Sequence, residues 1–437
     1  MVQCGFSFQD GHAAILLRSE IGANIPKMTG TTVDEQLNQI LFGSEFGDER
    51  TRETMTQELR QRLLDSEKKT QPLRVYAGYD PSRPDLHLGH SITLRKLRQF
   101  QDLGHQVIFL VGTFTAQVGD TSDKGKGRPR LTEEEVMSAA ATYAEQAFKI
   151  LDREKTLVAY NHEWLGRMTM ADVVRLASEF TVQQFIVRDN YRKRIEANNP
   201  VGLHEFLYAL LQGYDAVELR ADVQIGATEQ LFNILAGRKL QESFGQPPCV
   251  CITFPILVGT DGKMRMSKSA NNYVGLNEPP EEQYGKVMSI SDETMQEWIK
   301  YVTRWPVFQI EGHLRELREG TVHPMQLKKT LAWEVVDMYH GSEAADQAQR
   351  RFERLHQERL NPETAPVLTF SSPVTALDIV TKVPGVKSRS DARRLLSDGA
   401  VKLDGQVIQS PEHLVSSNCL AQVGKRRFLQ IVFQAAV

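Results

Sequence analysis

The sequence predicts an α/β protein whose first domain is built on a doubly wound parallel sheet, and a strand–helix–strand pattern carries that prediction. Residues 73–79 form a short β-rich run. From Leu88, apolar residues recur at helical spacing until Gly104 ends the pattern. Within residues 106–112, the run 107–111 is continuously apolar, as in a parallel strand buried on both faces. Short connections between these elements predict a right-handed βαβ unit.

The rest of the chain is predicted to form helical segments followed by a separate small α+β unit. Residues 31–72 and about 131–217 are predicted to be mainly helical, and residues 250–259 are the next candidate for a buried strand. A Pro- and Ser-rich stretch predicts a linker at 357–373. Beyond it, a helix at 390–398 precedes two short strands joined by an Asp404-Gly405 turn.

These features divide the chain into five predicted segments. They are an N-terminal extension with a helical segment (1–72), the doubly wound domain with its helical insertion (73–280), an α-helical domain (281–356), the linker (357–373) and the α+β unit (374–437). Met28 opens a more ordinary N-terminus than Met1, so residues 1–27 are read as an extension or a misassigned start.

Composition excludes several classes of protein. The 437 residues are 41% hydrophobic with a net charge of -3, so any nucleic-acid contact must come from local basic patches. No segment approaches the roughly 20 apolar residues needed to span a bilayer. Cys249 and Cys251 form a C-x-C pair without a second pair nearby, which favours buried thiols over a metal site. We therefore expect a cytoplasmic protein with no metal ligands and no membrane partner.

Two short motifs suggest phosphate chemistry. The first is His87-Leu88-Gly89-His90 at the start of the predicted helix, where free N–H groups and the helix dipole favour anions. The second is Arg265-Met266-Ser267-Lys268-Ser269 in a loop, where a lysine between hydroxyls suits a triphosphate. Taken alone, the first motif is more often an ordinary polar helix start, and the second reads equally well as a solvated loop.

Together the two motifs resemble the HIGH and KMSKS signatures of class I aminoacyl-tRNA synthetases. The resemblance narrows to bacterial-type tyrosyl-tRNA synthetases and covers roughly residues 31–437. It is carried by YAGYDP at 76–81, LYALLQGYD at 207–215 and QIGATEQ at 224–230. It implies a Rossmann-like catalytic domain at 73–280, an anticodon-binding helical domain, L-tyrosine, ATP and tRNA(Tyr) as partners, and a homodimer.

A polar stripe on one helix is the candidate amino-acid pocket. Tyr208, Gln212 and Asp215 are spaced i, i+4 and i+7 and so share a helix face. A plain solvated face is the alternative interpretation. The resemblance implies that Tyr76 and Asp215 hold the phenol hydroxyl. It assigns the ammonium or other substrate contacts to Tyr208, Gln212, Asp120 and Gln230.

The resemblance also implies the ATP contacts. They are Asp80, Ser82, His87, Gly89, His90, Thr93, Gly226, Glu229, Arg265, Met266 and Lys268, with Ser267 and Ser269 beside the catalytic lysine. Mg²⁺ is expected to accompany ATP rather than to occupy a dedicated protein site. This chain departs from the family at Ala227 and Glu229, which narrow the site, and at Arg265, which keeps the charge of the usual lysine but changes its geometry.

The C-terminal segment is locally basic. Residues 371–437 carry nine Lys or Arg against five Asp or Glu. The stretch from Ser388 to Gly405 resembles an S4-type RNA-binding module, with Arg389, Arg393, Arg394 and Lys402 as candidate phosphate contacts. A solvated charged helix is the alternative. A second basic loop, with Lys124, Lys126, Arg128 and Arg130, is left open between RNA contact and plain surface.

Two competing functions share the same motifs. A tryptophan-charging enzyme would have the same fold, but the pair of Tyr76 and Asp215 argues against it. An RNA-binding protein that kept the fold and lost catalysis would not need His87, His90 and Lys268 together.

Overall fold

The computed structural model describes residues 31–81, 85–119, 132–360, 365–383, 386, 388–424 and 427–434. Three of the predictions concern residues outside these ranges. They are the N-terminal extension at 1–27, the site residues Ser82 and Asp120, and the basic loop with Lys124, Lys126, Arg128 and Arg130. Among the described residues, no helix combines the length and the apolar character needed to cross a membrane.

The strands fall into two groups along the chain. Those of the first half are β1 (Arg74–Tyr79), β2 (Gln106–Val111), β3 (Thr156–Tyr160), β4 (Val223–Ala227) and β5 (Val250–Phe254). Those of the C-terminal region are β6 (Val367–Phe370), β7 (Val374–Thr375), β8 (Val401–Leu403), β9 (Gln406–Val407), β10 (Leu414–Val415), β11 (Cys419–Val423) and β12 (Arg427–Phe433).

Helices occupy most of the remaining described chain. Up to the end of the parallel sheet they are α1 (Val33–Leu41), α2 (Glu49–Lys69), α3 (Leu88–Asp102), α4 (Thr115–Val118), α5 (Glu133–Ala147), α6 (His162–Leu165), α7 (Met170–Ser178), α8 (Val182–Ile186), α9 (Asp189–Glu196), α10 (Leu203–Glu218) and α11 (Leu231–Ser243). After it come α12 (Pro280–Ser289), α13 (Asp292–Val302), α14 (Val307–Glu319), α15 (Pro324–His340), α16 (Ser342–Leu360), α17 (Ala376–Thr381) and α18 (Arg389–Ser397).

The first compact unit takes the described residues up to 277 together with 293–315, and a parallel sheet lies at its centre. The strand order is β3-β2-β1-β4-β5, and each neighbouring pair is parallel. Strand β1 lies between β2 and β4, where the direction of winding reverses. This confirms the predicted doubly wound α/β fold. In such sheets, ligands bind beyond the carboxyl ends of the strands at the reversal point.

Two strands were missed from the sequence. Strand β3 lies inside the segment 131–217 that was predicted to be mainly helical, and β4 precedes the strand predicted at 250–259. Strand β3 is only half-buried and lies at the sheet edge, so it lacks the continuous apolar character used to recognise β2. The strand predicted at 250–259 ends at Phe254, before Pro255, a residue that cannot donate to a sheet ladder.

The second compact unit takes 278–292 and the described residues from 316 onward. Its helical part contains α12, α15 and α16, with the ring of Tyr284 5.4 Å from that of Phe352. Its C-terminal part is a sheet of order β6-β12-β11-β8-β9. Asp404 and Gly405 have φ of 45° and 83°, which gives the predicted tight turn between β8 and β9.

The C-terminal sheet has a hydrophobic core of its own. Side chains from α17, α18 and the strands of this sheet and of the β7–β10 pair form one buried cluster, which includes Leu377, Ala392, Leu396, Val423 and Ile431. Helix α16 continues to Leu360 and β6 pairs with β12, so helix and strand occupy parts of the segment that was predicted as a linker. The placement of the domain boundaries stays a prediction.

Candidate active site

A cavity of about 670 Å³ opens at the carboxyl ends of β1, β2, β4 and β5. This is the position expected for a ligand site in a doubly wound sheet. The described residues predicted for tyrosine, ATP and catalysis all line it: Tyr76, Asp80, His87, Gly89, His90, Thr93, Tyr208, Gln212, Asp215, Gly226, Glu229, Gln230, Arg265, Met266, Ser267, Lys268 and Ser269.

The histidine pair is built into the first turn of α3. His87 is the N-cap, and its Nδ1 accepts a hydrogen bond from the N–H of Gly89 at 3.1 Å. The N–H of His87 donates to Nδ1 of His90 at 3.2 Å, and the two ring centroids lie 4.0 Å apart. A Cβ on Gly89 would lie 2.9 Å from the His87 ring, so glycine here makes room for that ring. In both rings the proton is therefore left on Nε2.

Both imidazoles are neutral near pH 7. Burial lowers the pKa of His90 to about 4, and the charge of Lys268 acts in the same direction. Burial also lowers the pKa of His87 well below its usual range, with the neighbouring His90 and Lys268 as further causes. The pair therefore offers hydrogen-bond donors, rather than positive charges, to an anionic ligand.

The lysine motif lies beside the histidines. Lys268 Nζ forms an ion pair with Asp85 Oδ2 at 2.5 Å, and it lies 5.7 Å from the ring centroid of Tyr273. The N–H of Ser267 donates to Asn272 Oδ1 at 2.8 Å, which shapes the loop. The segment that follows the loop is joined to α3, because the N–H of Leu88 donates to the carbonyl of Val274 at 2.9 Å. Residues nearly 180 positions apart thus lie together on one wall of the cavity.

Asp80 links three elements on the wall of the pocket. The hydroxyl of Tyr208 donates to Asp80 Oδ2 at 2.9 Å, and the hydroxyl of Thr115 donates to Asp80 Oδ1 at 2.7 Å. A Cβ on Gly112 would lie 2.1 Å from Asp80 Oδ1, so the carboxylate packs directly against the backbone at the end of β2. This arrangement fixes the carboxylate before any ligand binds.

Asp215 is the most buried carboxylate that lines the cavity. It is 2% exposed, and it accepts hydrogen bonds from Trp164 Nε1 at 2.8 Å and from Asn161 Nδ2 at 3.3 Å. Burial raises the pKa of Asp215 well above its usual range, whereas the two donors favour the charged form. Among the described residues, the buried hydroxyl of Tyr76 and Oε1 of Gln224 have no hydrogen-bond partner. Unpaired buried polar atoms are costly, and both residues line the cavity.

Comparison with known proteins identifies the family. A family model described as tRNA synthetases class I (W and Y) matches residues 68–357, and an S4 domain model matches residues 377–418. A tyrosine–tRNA ligase of Thermotoga maritima is 47% identical over 371 residues, which cover 84% of this chain and 92% of that protein. The chain belongs to the tyrosine–tRNA ligase family.

Other relatives agree with this assignment. The tyrosine–tRNA ligase of Aquifex aeolicus is 43% identical and covers 85% of this chain and 94% of its own length. A crystal structure of an Archaeoglobus fulgidus tyrosyl-tRNA synthetase complexed with L-tyrosine has a TM-score of 0.57 at 24% identity, covering 73% of this chain and 100% of that chain. At that identity the likeness shows the fold alone. The resemblance inferred from the sequence motifs is thereby confirmed.

Several polar residues of the site in this tyrosine–tRNA ligase family member were not found from the sequence. Among them are Asp85, Thr115, Asn161 and Gln224, which line the cavity, and Trp164, which donates to Asp215. Asn161 and Trp164 follow the unrecognised strand β3, and Gln224 lies on the unrecognised β4. Thr115 follows β2, so the carboxyl-end rule could have found it from the sequence. No local sequence pattern points to Asp85, because its partner Lys268 is distant in the chain.

The predicted RNA contacts lie on the C-terminal unit. Ser388 caps α18, and Arg389 and Arg394 pair with Asp378 and Asp391 at 3.1 and 2.8 Å. Arg393 is exposed on the same helix, and Lys402 is half-buried on β8. These exposed pairs are weak in water, so phosphate can compete for the arginines.

Proposed function

We infer that the chain activates L-tyrosine with ATP and transfers the tyrosyl group to tRNA. In the first step a tyrosine carboxylate oxygen attacks the α-phosphorus of ATP, and the bond to pyrophosphate breaks. A ribose hydroxyl at the 3′ end of tRNA then attacks the carbonyl carbon of the adenylate, and AMP leaves. The carboxylate is already a nucleophile, so the first step needs orientation and charge stabilisation rather than a general base.

The unpaired hydroxyl of Tyr76 beside Asp215 is the observation that best supports tyrosine as the substrate. We assign the substrate phenol to these two groups, with its O–H donated to Asp215 and its oxygen accepting from Tyr76. The phenol would thus satisfy a buried group that lacks a partner among the described residues. An indole or phenyl ring cannot supply both hydrogen bonds, so tryptophan and phenylalanine would leave these groups unpaired.

The ammonium and nucleotide assignments use the remaining wall of the pocket. Tyr208 and Gln212 stay our candidates for the ammonium. Gln212 Oε1 already accepts from Asn233 Nδ2 at 3.0 Å, which orients its amide. Asp120 stays a predicted ammonium contact outside the described residues. Gln230 accepts the N–H of Ala227 at 3.2 Å, so it holds the turn after β4 where the adenosine is assigned.

Phosphate binding is assigned to the two motifs. His87 and His90 donate from Nε2 to phosphate oxygens, and Lys268 supplies a positive charge. Thr93, Gly226 and Glu229 border the ribose and base. Glu229 can accept a hydrogen bond from a ribose hydroxyl, as an aspartate would. Its side chain is longer by one methylene, so its carboxylate lies further from the backbone.

We propose that Mg²⁺ enters with ATP. Phosphate oxygens and water suit its octahedral preference. Asp80 is a carboxylate in the same cavity and would provide oxygen of the type that this ion prefers. When bound, the ion would offset negative charge on the phosphates.

The tRNA assignments divide between two parts of the chain. We propose that residues 281–356 contact the anticodon region of the tRNA. We also propose that the S4 domain binds tRNA phosphates through Arg389, Arg393, Arg394 and Lys402. The excess of positive charge in the C-terminal segment supports this role. Such contacts give affinity but little choice of sequence.

We propose that the active form is a homodimer. One stretch of the first unit, from α7 to the start of α10, exposes a series of large apolar side chains: Met170, Val174, Val182, Ile186, Val187, Ile195 and Leu203. Leu203 is 81% exposed. Several large apolar side chains exposed in one stretch of chain are typical of a protein interface. The cytoplasm remains the predicted compartment, in agreement with free thiols at Cys249, Cys251 and Cys419.

Amino-acid-dependent exchange of pyrophosphate into ATP tests the proposed function. We expect exchange with L-tyrosine and rejection of phenylalanine by about 10⁴–10⁵, a magnitude for which tyrosyl-tRNA synthetases are themselves the standard example. Comparable exchange with tryptophan would identify the competing enzyme. Absence of exchange with every amino acid, in a protein that still binds tRNA, would favour the non-catalytic RNA-binding alternative.

A further inference from the structure

A second recess of about 490 Å³ lies beside α3. Ile92, Arg95, Lys96 and Gln99 form its floor, and their spacing of i, i+3, i+4 and i+7 places them on one face of the helix. His90 and Thr93 on the same helix line the active-site cavity, and Ile92 borders both cavities. Residues of α1 and residues 300–310 complete the walls, so the whole recess lies within the first unit.

Positive charge dominates this recess. Among the described residues that line it are four cationic side chains, Arg95, Lys96, Lys300 and Arg304, and one carboxylate, Glu35. The carboxylate caps α1, where it accepts from the N–H and the hydroxyl of Thr32 at 2.7 and 2.9 Å. Arg95 and Arg304 have interactions of their own. Lys96 and Lys300 are therefore the cations whose charge a bound anion would offset.

Lys96 is the most buried of the four cations. It is 8% exposed, and its ammonium donates to the carbonyl of Gln39 at 3.0 Å and lies 5.1 Å from the ring centroid of Phe254. Neither partner neutralises its charge. Burial lowers the pKa of Lys96 to about 7, and the charges of Arg95 and Lys300 act in the same direction. An anion here would relieve that repulsion.

Aromatic side chains line the other half of the recess. Phe42, Tyr301, Trp305 and Phe308 contribute rings, and Phe308 is 76% exposed. Lys300 Nζ lies 5.8 Å from the ring centroid of Phe42 and 4.9 Å from that of Tyr301, so charge and rings are interleaved. Flat faces beside clustered cations suit a ligand that carries both a planar base and a phosphate.

We propose that this recess binds a phosphorylated nucleoside, with its phosphate beside Lys96 and Lys300 and its base against the aromatic rim. The volume lies within the range typical of small-ligand sites. Two sources offer this chemistry, a free nucleotide or a nucleotide residue of a bound RNA. The recess shares only Ile92 with the cavity assigned to ATP, so its occupancy does not depend on the proposed function.

Equilibrium dialysis with radiolabelled AMP tests the free-nucleotide source. The active site is first filled with a non-hydrolysable tyrosyl-adenylate analogue, and AMP bound per chain is then counted. We expect one further equivalent, with affinity at least tenfold weaker in Lys300→Glu and in Phe308→Ala. Lys155→Glu, an exposed charge reversal outside the recess, is the matched control and should leave AMP binding unchanged. Phe308→Ala changes an exposed side chain and so keeps the test valid if the charge reversal unfolds the protein.

A tRNA-binding assay forms the second arm. Loss of tRNA affinity by fivefold or more in Lys300→Glu and Phe308→Ala, but not in Lys155→Glu, would identify RNA as the source of the nucleotide. The proposal is overturned if no second equivalent of AMP binds and tRNA affinity is the same in all three variants. Failure of the proposed function would appear instead as absent tyrosine-dependent exchange.

Discussion

The ammonium of Lys268 and the carboxylate of Asp85 lie 2.5 Å apart across the mouth of the ATP pocket. Lys268 is the residue assigned to the phosphates, and in this structure its charge is already paired. Its side chain is 13% exposed, whereas that of Asp85 is 49% exposed. ATP must therefore compete with Asp85 for the lysine before the phosphates can be bound.

Asp85→Asn should tighten ATP binding. Removing the carboxylate removes the competitor, and half-exposed ion pairs contribute about 0.5–1 kcal/mol, or roughly two- to fivefold in affinity. We expect KM for ATP to fall by that factor while the affinity for tyrosine is unchanged. Asp102→Asn is the matched control, since Asp102 pairs with Arg98 on the same helix, away from the pocket. A rise in KM would show that Asp85 instead positions Lys268 for catalysis.

His90→Ala and Lys268→Ala should each slow formation of the adenylate and leave tyrosine affinity nearly unchanged. Both groups face phosphate charge that grows in the transition state, and loss of such a contact costs about 3 kcal/mol, or about a hundredfold in rate. Pre-steady-state fluorescence or rapid quench separates the two quantities. Weaker tyrosine binding at an unaltered rate would contradict both assignments.

The rate of adenylate formation should not titrate with either histidine between pH 6 and pH 8. Burial lowers the pKa of His90 to about 4 and that of His87 well below its usual range, so both rings stay neutral throughout this interval. Protonation of His90 would begin only as the pH falls toward 4. The pH profile of the wild type is compared with that of His90→Gln. Titration of ATP itself affects both profiles equally, so it cancels in their difference. A difference between the two profiles centred near pH 6.5 would show that a histidine carries charge in catalysis.

Removal of the C-terminal domain should separate the two half-reactions. The assigned tyrosine and ATP residues all belong to the first unit, whereas the S4 domain has its own hydrophobic core. Strand β6 pairs with β12, so the cut belongs after Leu360 rather than at residue 371. We expect adenylate formation near the full-length rate, weaker tRNA binding and a flatter salt dependence of aminoacylation. Unchanged aminoacylation in a folded truncation would remove the domain from the tRNA-binding surface.

Leu203→Glu should dissociate the proposed dimer. A charge at this position opposes burial of the exposed apolar face, and desolvating an unpaired carboxylate is strongly unfavourable. Sedimentation equilibrium should show a monomer for this variant. The control is Leu414→Glu, which changes a 62% exposed leucine of the C-terminal unit. Identical masses for both variants and the wild type would place any interface elsewhere.

Local motifs predicted the fold and half of the residues that line the cavity, because they combine chemistry with position in a strand–helix–strand unit. His87 and His90 could be placed at the start of α3, and Tyr208 and Asp215 on one helix face, by spacing alone. Residues such as Trp164 and Asp85 could not be found this way. Their importance comes from partners brought close by the folded chain, Asp215 in one case and Lys268 in the other.

The pairing of β1 with β4 has a consequence during synthesis of the protein. Val75 of the central strand pairs with Val223, whereas its other neighbour, Val107, follows much sooner in the chain. At about 5–20 residues/s, a ribosome needs on the order of ten seconds between making these two neighbours. For that interval the nascent chain presents an unpaired apolar strand edge. Chaperone capture of translation intermediates should therefore be greatest before β4 emerges.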